Sequence, residues 1–445
     1  MSEELIEPIH RHRHHHHHRR RRRRLLARVI VASLVVAAVV VFAAINIFPG
    51  LGAQAAETLR AIVGDAVVAQ LETAVYQVQD VFETVAYRLG VAQPVSPWEI
   101  DPAAGATPSP TAPEPAATAV AAAATAIPVS TGTPAIAVLP LATLAATPAA
   151  TLAATPAPTT APPLPAGWRP AALTPLGALT GEGQWSAYIT SPSHQVLAYR
   201  AFLQPDPTRP YAVVAIVAFN LNATRLKFVL GTDEPVSPVQ VYRPGKIPPA
   251  DVHSGLVVAA FNGGFRTRHG DFGVMVGGIT VLQPRVGLGT VAMYADGRVR
   301  IGAWGTDITS SRDILAWRQN GPLILHNGQL NPRTAVDAPG DWGYTVNGAT
   351  AVLRSGLAIS ADGGTLYYLA GPYLTLPALA TAIVATGAVQ GMQLDINSYW
   401  VHFTALQTNL TPPRATPLLD SMTQSPGRYL GIWSRDFFYV MATGS

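Results

Sequence analysis

Leu256-Val257-Val258-Ala259-Ala260-Phe261-Asn262-Gly263-Gly264-Phe265 begins as an apolar run and ends on an amide and two glycines. Six apolar residues bounded by turn formers read as a buried strand. Behind it, Arg266-Thr267-Arg268-His269-Gly270-Asp271-Phe272-Gly273 brings two arginines, a histidine and an aspartate. Paired glycines let the backbone turn sharply and bring main-chain N–H groups close to a ligand. With Asn262 and the arginines, they supply the donors that an anionic or hydroxyl-rich ligand needs. A tight turn with a solvated basic loop is the other reading of the same residues.

Around that strand the chain reads as β-rich. Ala212–Phe219 and Arg225–Leu230 are β-branched or apolar runs. Three hairpin signals follow. Thr290–Tyr294 and Arg298–Trp304 flank Ala295-Asp296-Gly297, Leu323–His326 and Gln329–Leu330 flank Asn327-Gly328, and Leu353–Ser360 and Thr365–Ala370 flank Ala361–Gly364. One helix is expected, with Thr375 as N-cap, Pro377 in its first turn and Gly387 closing it. Met392–Asp395 reads as a strand ending on a carboxylate. The expected fold is α+β: a single mixed, mainly antiparallel β-rich domain with a few helices, spanning residues 167–445.

The chain before this domain is of a different kind. The net charge of +4 is uneven, since residues 1–28 hold nine arginines and three glutamates, or +6, leaving −2 for the rest. A near-neutral globular part has no basic footprint for nucleic acid. The Arg/His-rich tail 1–28 runs into Val29–Phe48, an apolar stretch long enough to cross a bilayer. Arginines before it place the tail in the cytoplasm and the remainder outside, as a single-pass cell-membrane protein. Ala53-Gln54-Ala55 offers the competing reading of a cleaved signal peptide, but the apolar run exceeds an ordinary signal core.

Residues 50–92 read as a helical stalk. Val67, Leu71, Ala74, Val78, Val81 and Val85 recur at spacings of four and three. Such a stripe suits self-association, packing on the membrane surface, or packing on the chain's own domain. Residues 93–166, rich in Pro, Ala and Thr, lose periodicity and read as a disordered linker.

Without cysteine there is no disulfide, thiolate catalyst or Cys-ligated zinc. The histidines after the anchor (194, 253, 269, 326, 402) are scattered, and no metal or cofactor motif is found.

The order of motifs over residues 210–441 resembles the phosphodiester glycosidase family. The resemblance rests on Asn262–Phe265, on Asn320-Gly321-Pro322-Leu323-Ile324 with Asn327-Gly328, and on Arg354-Ser355-Gly356-Leu357-Ala358-Ile359 leading to Asp362-Gly363. It continues with the helix Leu376–Gly387 into Leu394-Asp395, then Arg414 and Arg435-Asp436-Phe437-Phe438. Family members usually carry Leu-Asp-Gly-Gly where this chain has Leu394-Asp395-Ile396-Asn397.

The resemblance implies a hydrolase that cuts between a sugar's anomeric carbon and a phosphodiester oxygen. The leaving phosphate monoester is a stable anion with a second pKa near ~6, so the site needs phosphate donors and a carboxylate more than a strong acid. On this reading Asp395 and Arg354 are catalytic. Asn262, Gly263, Gly264, Arg266, His269, Asn320, Asn397 and Arg414 bind a carbohydrate or sugar-phosphate substrate. Asp395 and Arg354 are expected to face one pocket floored by Gly263-Gly264, although Asp395 also suits a cap at the strand end. Because Ile396 cannot adopt glycine's positive-φ conformations, a non-catalytic glycan-binding protein of the same fold is the alternative. A mainly structural anchor-and-spacer role is the third.

Overall fold

The computed structural model describes residues 62, 65–99, 167–336, 341–343 and 351–444. The expected tail, the anchor, residues 50–61 of the stalk and residues 100–166 of the linker lie outside these. Among the described residues no helix is long and apolar enough to cross a membrane.

Eighteen strands make up the described domain. In chain order they are β1 Ser186–Thr190, β2 Val196–Leu203, β3 Val214–Asn220, β4 Thr224–Val229, β5 Val257–Asn262 and β6 Val274–Val276. Next come β7 Ile279–Leu282, β8 Gly289–Tyr294, β9 Val299–Ala303, β10 Ile314–Gln319, β11 Leu325–His326 and β12 Gln329–Leu330. The last are β13 Val352–Ile359, β14 Thr365–Leu374, β15 Gln390–Gln393, β16 Phe403–Gln407, β17 Arg414–Pro417 and β18 Phe437–Ala442. Helix α1 is Asp65–Arg88 and α2 is Leu376–Ala385.

They form three sheets, ordered β1-β2-β3-β14-β13-β15-β11-β12, β7-β6-β10-β8-β9 and β17-β16-β5-β18-β4. Every pairing between these strands is antiparallel, so the expected α+β, β-rich class holds while its mixed character does not. Local hairpins account for part of this, because adjacent strands joined by tight turns must run in opposite directions, while β3–β14, β5–β16 and β5–β18 are antiparallel across long separations.

The three expected hairpins form as β8–β9, β11–β12 and β13–β14. At Asn327-Gly328 both turn residues have positive φ, 52° and 76°, which the right-handed twist of a two-residue hairpin requires. Helix α2 starts where the Thr375 hydroxyl accepts the Ala378 N–H at 3.2 Å.

One face of the large sheet packs Ile216, Tyr367 and Leu369 against Leu379 and Ile383 of α2. Its other face packs Phe219, Leu357 and Tyr368 against Phe261, Phe403 and Phe438 of the third sheet. Strand β5 is buried on both faces, as its unbroken apolar run implies. Phe261 sits at the centre, its ring 4.9 Å from Tyr368 and 5.5 Å from Phe438.

Residues 65–99 and 167–444 belong to one compact unit. Of the three readings left open for the stalk, packing on the chain's own domain is realised. Arg209 grips Asp80 at 2.8 Å, Tyr211 reaches Thr84 and Asp80 at 2.8 Å each, and Tyr373 donates to Glu83 at 3.0 Å. Packing also runs past the boundary expected at residue 93. Trp98 stacks edge-on against Phe202 at 5.6 Å, with the Arg200 guanidinium 4.3 Å from its ring centre.

Candidate functional site

Strand ends from all three sheets meet around the Asn262–Gly264 turn. Strand β5 ends at Asn262, which pairs with Phe437, so Arg435-Asp436 lies at the same end of the sheet. His402, just before β16, is on its other side: Asn262 N–H donates to His402 O at 3.0 Å, and His402 N–H to Asn262 Oδ1 at 3.2 Å. Asn262 Oδ1 also accepts the Tyr368 hydroxyl at 2.9 Å, and its Nδ2 donates to Ser355 Oγ at 3.0 Å. Just past β10, Asn320 accepts the Phe265 N–H at 3.0 Å and donates to Gln393 O and Leu394 O at 2.6 and 2.7 Å. The turn is therefore clamped to the second and first sheets by amides.

The glycines are required for closeness, since neither has positive φ. A Cβ on Gly263 would stand 2.4 Å from Asp436 Oδ1, and one on Gly264 would stand 2.8 Å from Asn320 Oδ1.

Asp395 lies just beyond β15. Ser355 N–H donates to Asp395 O while Leu394 N–H donates to Ser355 O, so two residues oppose one as in a β-bulge. Asp395 Oδ1 accepts the N–H groups of Ile396 and Asn397 at 2.8 and 3.0 Å. Its Oδ2 accepts Arg435 Nη2 at 3.0 Å. The carboxylate thus caps the strand end and faces a cation at once. Burial pushes its pKa up, opposed by the Arg435 charge and by the two backbone N–H bonds.

Behind it, Arg318 and Asp436 form a buried ion pair at 2.6 Å. The remaining Arg318 N–H groups reach the carbonyls of Gln319 and Phe265. Arg428 is buried too, and its charge acts on His402, Arg435 and Tyr368. Counted formally, three arginines (318, 428, 435) against two aspartates (395, 436) give +1, and protonation of Asp395, which burial favours, would add to the positive charge. His402 adds none, because burial and the Arg428 charge hold its pKa down to about 3.

Several buried polar atoms here have no hydrogen-bond partner: both His402 ring nitrogens, Arg428 Nε and Nη1, Arg435 Nε, and Asp436 Oδ1. Buried polar groups are rarely left unmatched, so a cluster of them makes this the candidate site. Half-buried aromatics stand beside it. The Arg435 guanidinium lies 4.7 Å from the Trp400 ring centre and the Arg428 guanidinium 3.9 Å from that of Trp433. The two indoles are 5.6 Å apart, and Tyr399 stacks on Trp433 at 6.0 Å.

Of the residues expected at the site, Asn262, Gly263, Gly264, Asn320, Asp395 and Asn397 come together. Asn397 closes the turn by accepting the Tyr399 N–H at 2.9 Å. The expected convergence is not realised for Arg354. It neighbours Ser355 on β13, so its side chain leaves the opposite face, donating to Leu374 O at 2.8 Å and Gln393 Oε1 at 2.9 Å. Arg435 is the arginine on Asp395. Arg266 and His269 belong to the following loop, where Arg266 lies 3.9 Å from the buried Glu234 and His269 N–H donates to Arg266 O. Arg414 is exposed on edge strand β17 opposite Gln407, at the end of β16 remote from His402.

Arg318, Arg428 and the Tyr399–Trp400 pair were not singled out by sequence, while Ser355, His402, Arg435 and Asp436 were noted there without a role at the site. One signal was available: arginine and aspartate beside apolar strands, as in Trp317-Arg318-Gln319 and Arg435-Asp436-Phe437. Buried charges require partners, and such pairs point to one another. Among the described residues no group of three or more His, Asp or Glu is placed to hold a metal ion.

No family model matches the chain, and no curated protein does. Among solved structures, it is similar to the zebrafish N-acetylglucosamine-1-phosphodiester alpha-N-acetylglucosaminidase catalytic domain, auto-inhibited by its pro-peptide. The identity is 10% and the TM-score 0.38, over 59% of this chain and 88% of that one. A hypothetical protein from Synechocystis gives 12% identity and a TM-score of 0.32, over 58% of this chain and 62% of that one. A putative exported protein from Burkholderia pseudomallei gives 9% and 0.24, over 52% and 74%. These are distant likenesses, and none carries an activity over to this chain.

Proposed function

We propose that the chain is a membrane-anchored, extracytoplasmic hydrolase that cleaves the bond between a sugar's anomeric carbon and a phosphodiester oxygen. The observation that carries this reading is the buried cluster of net charge +1, with guanidinium N–H groups on Arg428 and Arg435 that no protein atom accepts. A phosphate bearing oxygen acceptors and negative charge would satisfy both. Half-buried Trp400, Trp433 and Tyr399 line the cluster, packed on its arginines and on one another, and their remaining exposed surface would be the sugar's contact.

In the proposed reaction Arg428 and Arg435 hold the phosphodiester. Asp395 Oδ2 faces the anomeric carbon, shielding positive charge as the carbon–oxygen bond lengthens. Water adds to that carbon and gives up its proton through the carboxylate. The bond electrons leave with the phosphate, which departs as a stable monoester anion. The Arg318–Asp436 pair and the amides of Asn262 and Asn320 position the turn. Arg354 acts through Gln393, Arg266 and His269 are assigned to the outer substrate-binding surface, and Arg414, remote from the cluster, has no part in it.

A second reading has its own observation. Asp395 Oδ1 is taken up by the Ile396 and Asn397 N–H groups, as in a protein that holds phosphoglycans without cutting them. The two separate when purified full chain in detergent is given a series of glycosyl-1-phosphodiesters and free sugar is measured. Turnover that falls in Asp395→Asn supports the hydrolase; retention on a phosphoglycan column without turnover supports the binding protein.

Anchoring rests on the arginine block followed by Val29–Phe48. Protease applied to intact cells is expected to release the globular domain, and protection of residues 167–445 would invert the topology.

A further inference from the structure

Helix α1 is amphipathic the wrong way round for a helix that merely packs on its own domain. Its contacts to the domain run through Asp80, Glu83, Thr84 and Tyr87, the polar and aromatic side chains of one face. Val68 near its start is buried at 2%, but from Val78 on the apolar stripe is left out: Val78 is 62% exposed, Val81 63%, Phe82 65% and Val85 47%, with Leu89 just past the helix at 73%. An isolated surface helix turns its apolar stripe inward, and contiguous exposed apolar side chains mark an interaction site.

We propose that this stripe is the contact between two copies of the chain, paired in parallel and in register along α1. The spacing favours a second helix as occupant. Val67, Leu71, Ala74, Val78, Val81 and Val85 alternate by four and three, the 3.5-residue period of a left-handed coiled coil, and the pattern runs through three turns of the repeat. In that register Leu71, Val78 and Val85 take one seam position and Val67, Ala74 and Val81 the other. Asp80, Glu83 and Tyr87 fall on the outer positions, where the domain holds them. Valine at the first seam position favours two strands.

Charge favours a copy over lipid. The flanking positions Gln70, Gln77 and Thr84, and Val75, Phe82 and Leu89, are uncharged, so copies meet like charge only at Arg88, the seam position in the helix's last turn, where the apolar stretch ends. A helix lying on a membrane surface carries Lys and Arg on its polar face. Helix α1 has four acids and one arginine, and the domain covers two of those acids.

The test uses the full chain in detergent and in vesicles. Because the chain has no cysteine, Ala74→Cys and Val81→Cys each introduce a unique thiol. They lie seven residues, or about 10 Å, apart along the helix, so an antiparallel pair could bring at most one of them against its own copy. Both single variants are expected to give a disulfide-linked dimer on mild oxidation, while Tyr242→Cys, exposed elsewhere, stays monomeric. Light scattering should give a dimer mass for the unmodified chain, and a monomer mass for Val78→Glu/Val85→Glu with unchanged thermal unfolding of the domain. A monomeric unmodified chain without cross-linking overturns the proposal. Cross-linking at only one of the two positions overturns the parallel register. Protection of both thiols by vesicles without dimer formation assigns the stripe to lipid and also overturns it.

Discussion

Asp395 and His402 show how burial sets the chemistry of single residues at this site, with opposite signs. His402 is held at about 3, below its ordinary 6.5, so between those values the native state binds fewer protons than the unfolded chain. The stability due to neutral His402 is complete above about pH 6.5. It falls on acidification at a limiting slope of ~1.4 kcal/mol per pH unit for one proton. Asp395 has a raised pKa, so its contribution is present at low pH and lost as pH rises through its folded value. Comparing chemical-denaturation midpoints of the unmodified chain and His402→Phe isolates the first effect. The unmodified chain is expected to lose stability faster from pH 7 to pH 4, and parallel curves would contradict it. Gly263→Ala is a steric counterpart. With its Cβ at 2.4 Å from Asp436 Oδ1 and 2.7 Å from Asp436 O, it is expected to cost about 1–3 kcal/mol of unfolding free energy, read by urea denaturation.

At the scale of elements, legibility followed where the determinants were local. The β11–β12 turn declared itself through Asn327-Gly328, and α2 through Thr375, Pro377 and Gly387, because caps and tight turns are fixed within a few residues. Strand β5 was legible as an unbroken apolar run. Strand β10 was not, since Arg318 and Gln319 break the pattern, and only partners far along the chain make their burial possible. Arg318 needs Asp436, 118 residues away. The same reason hid half the site. Asn262 and Asp395 could be picked from turns, but which arginine meets Asp395 depends on how β13 faces and where β18 begins. Arg318→Met should leave Asp436 buried and unpaired, costing ~3–5 kcal/mol. Adding Asp436→Leu should restore part of the loss, whereas additive losses in the double variant would mean that the pair is not a unit.

Across the whole molecule, three antiparallel sheets bring strand ends and the loops after them to one place, the position from which scaffolds commonly present ligand groups. The large sheet and the third sheet share the aromatic core around Phe261, and the charged cluster sits where that core ends. The proposed anion rests on the formal +1 of the cluster, and the proposed sugar on the aromatics beside it. Neither depends on the distant structural likenesses. The most direct test is steady-state hydrolysis of a glycosyl-1-phosphodiester by full chain in detergent, comparing the unmodified protein with Asp395→Asn, Arg428→Gln and Arg354→Gln. The account predicts that Asp395→Asn lowers kcat by about two orders of magnitude or more, as for loss of a general acid–base group. Arg428→Gln should raise KM, and Arg354→Gln, on the far face of β13, should affect catalysis least. Turnover unchanged in Asp395→Asn, or lost in Arg354→Gln alone while the protein stays folded, would contradict it.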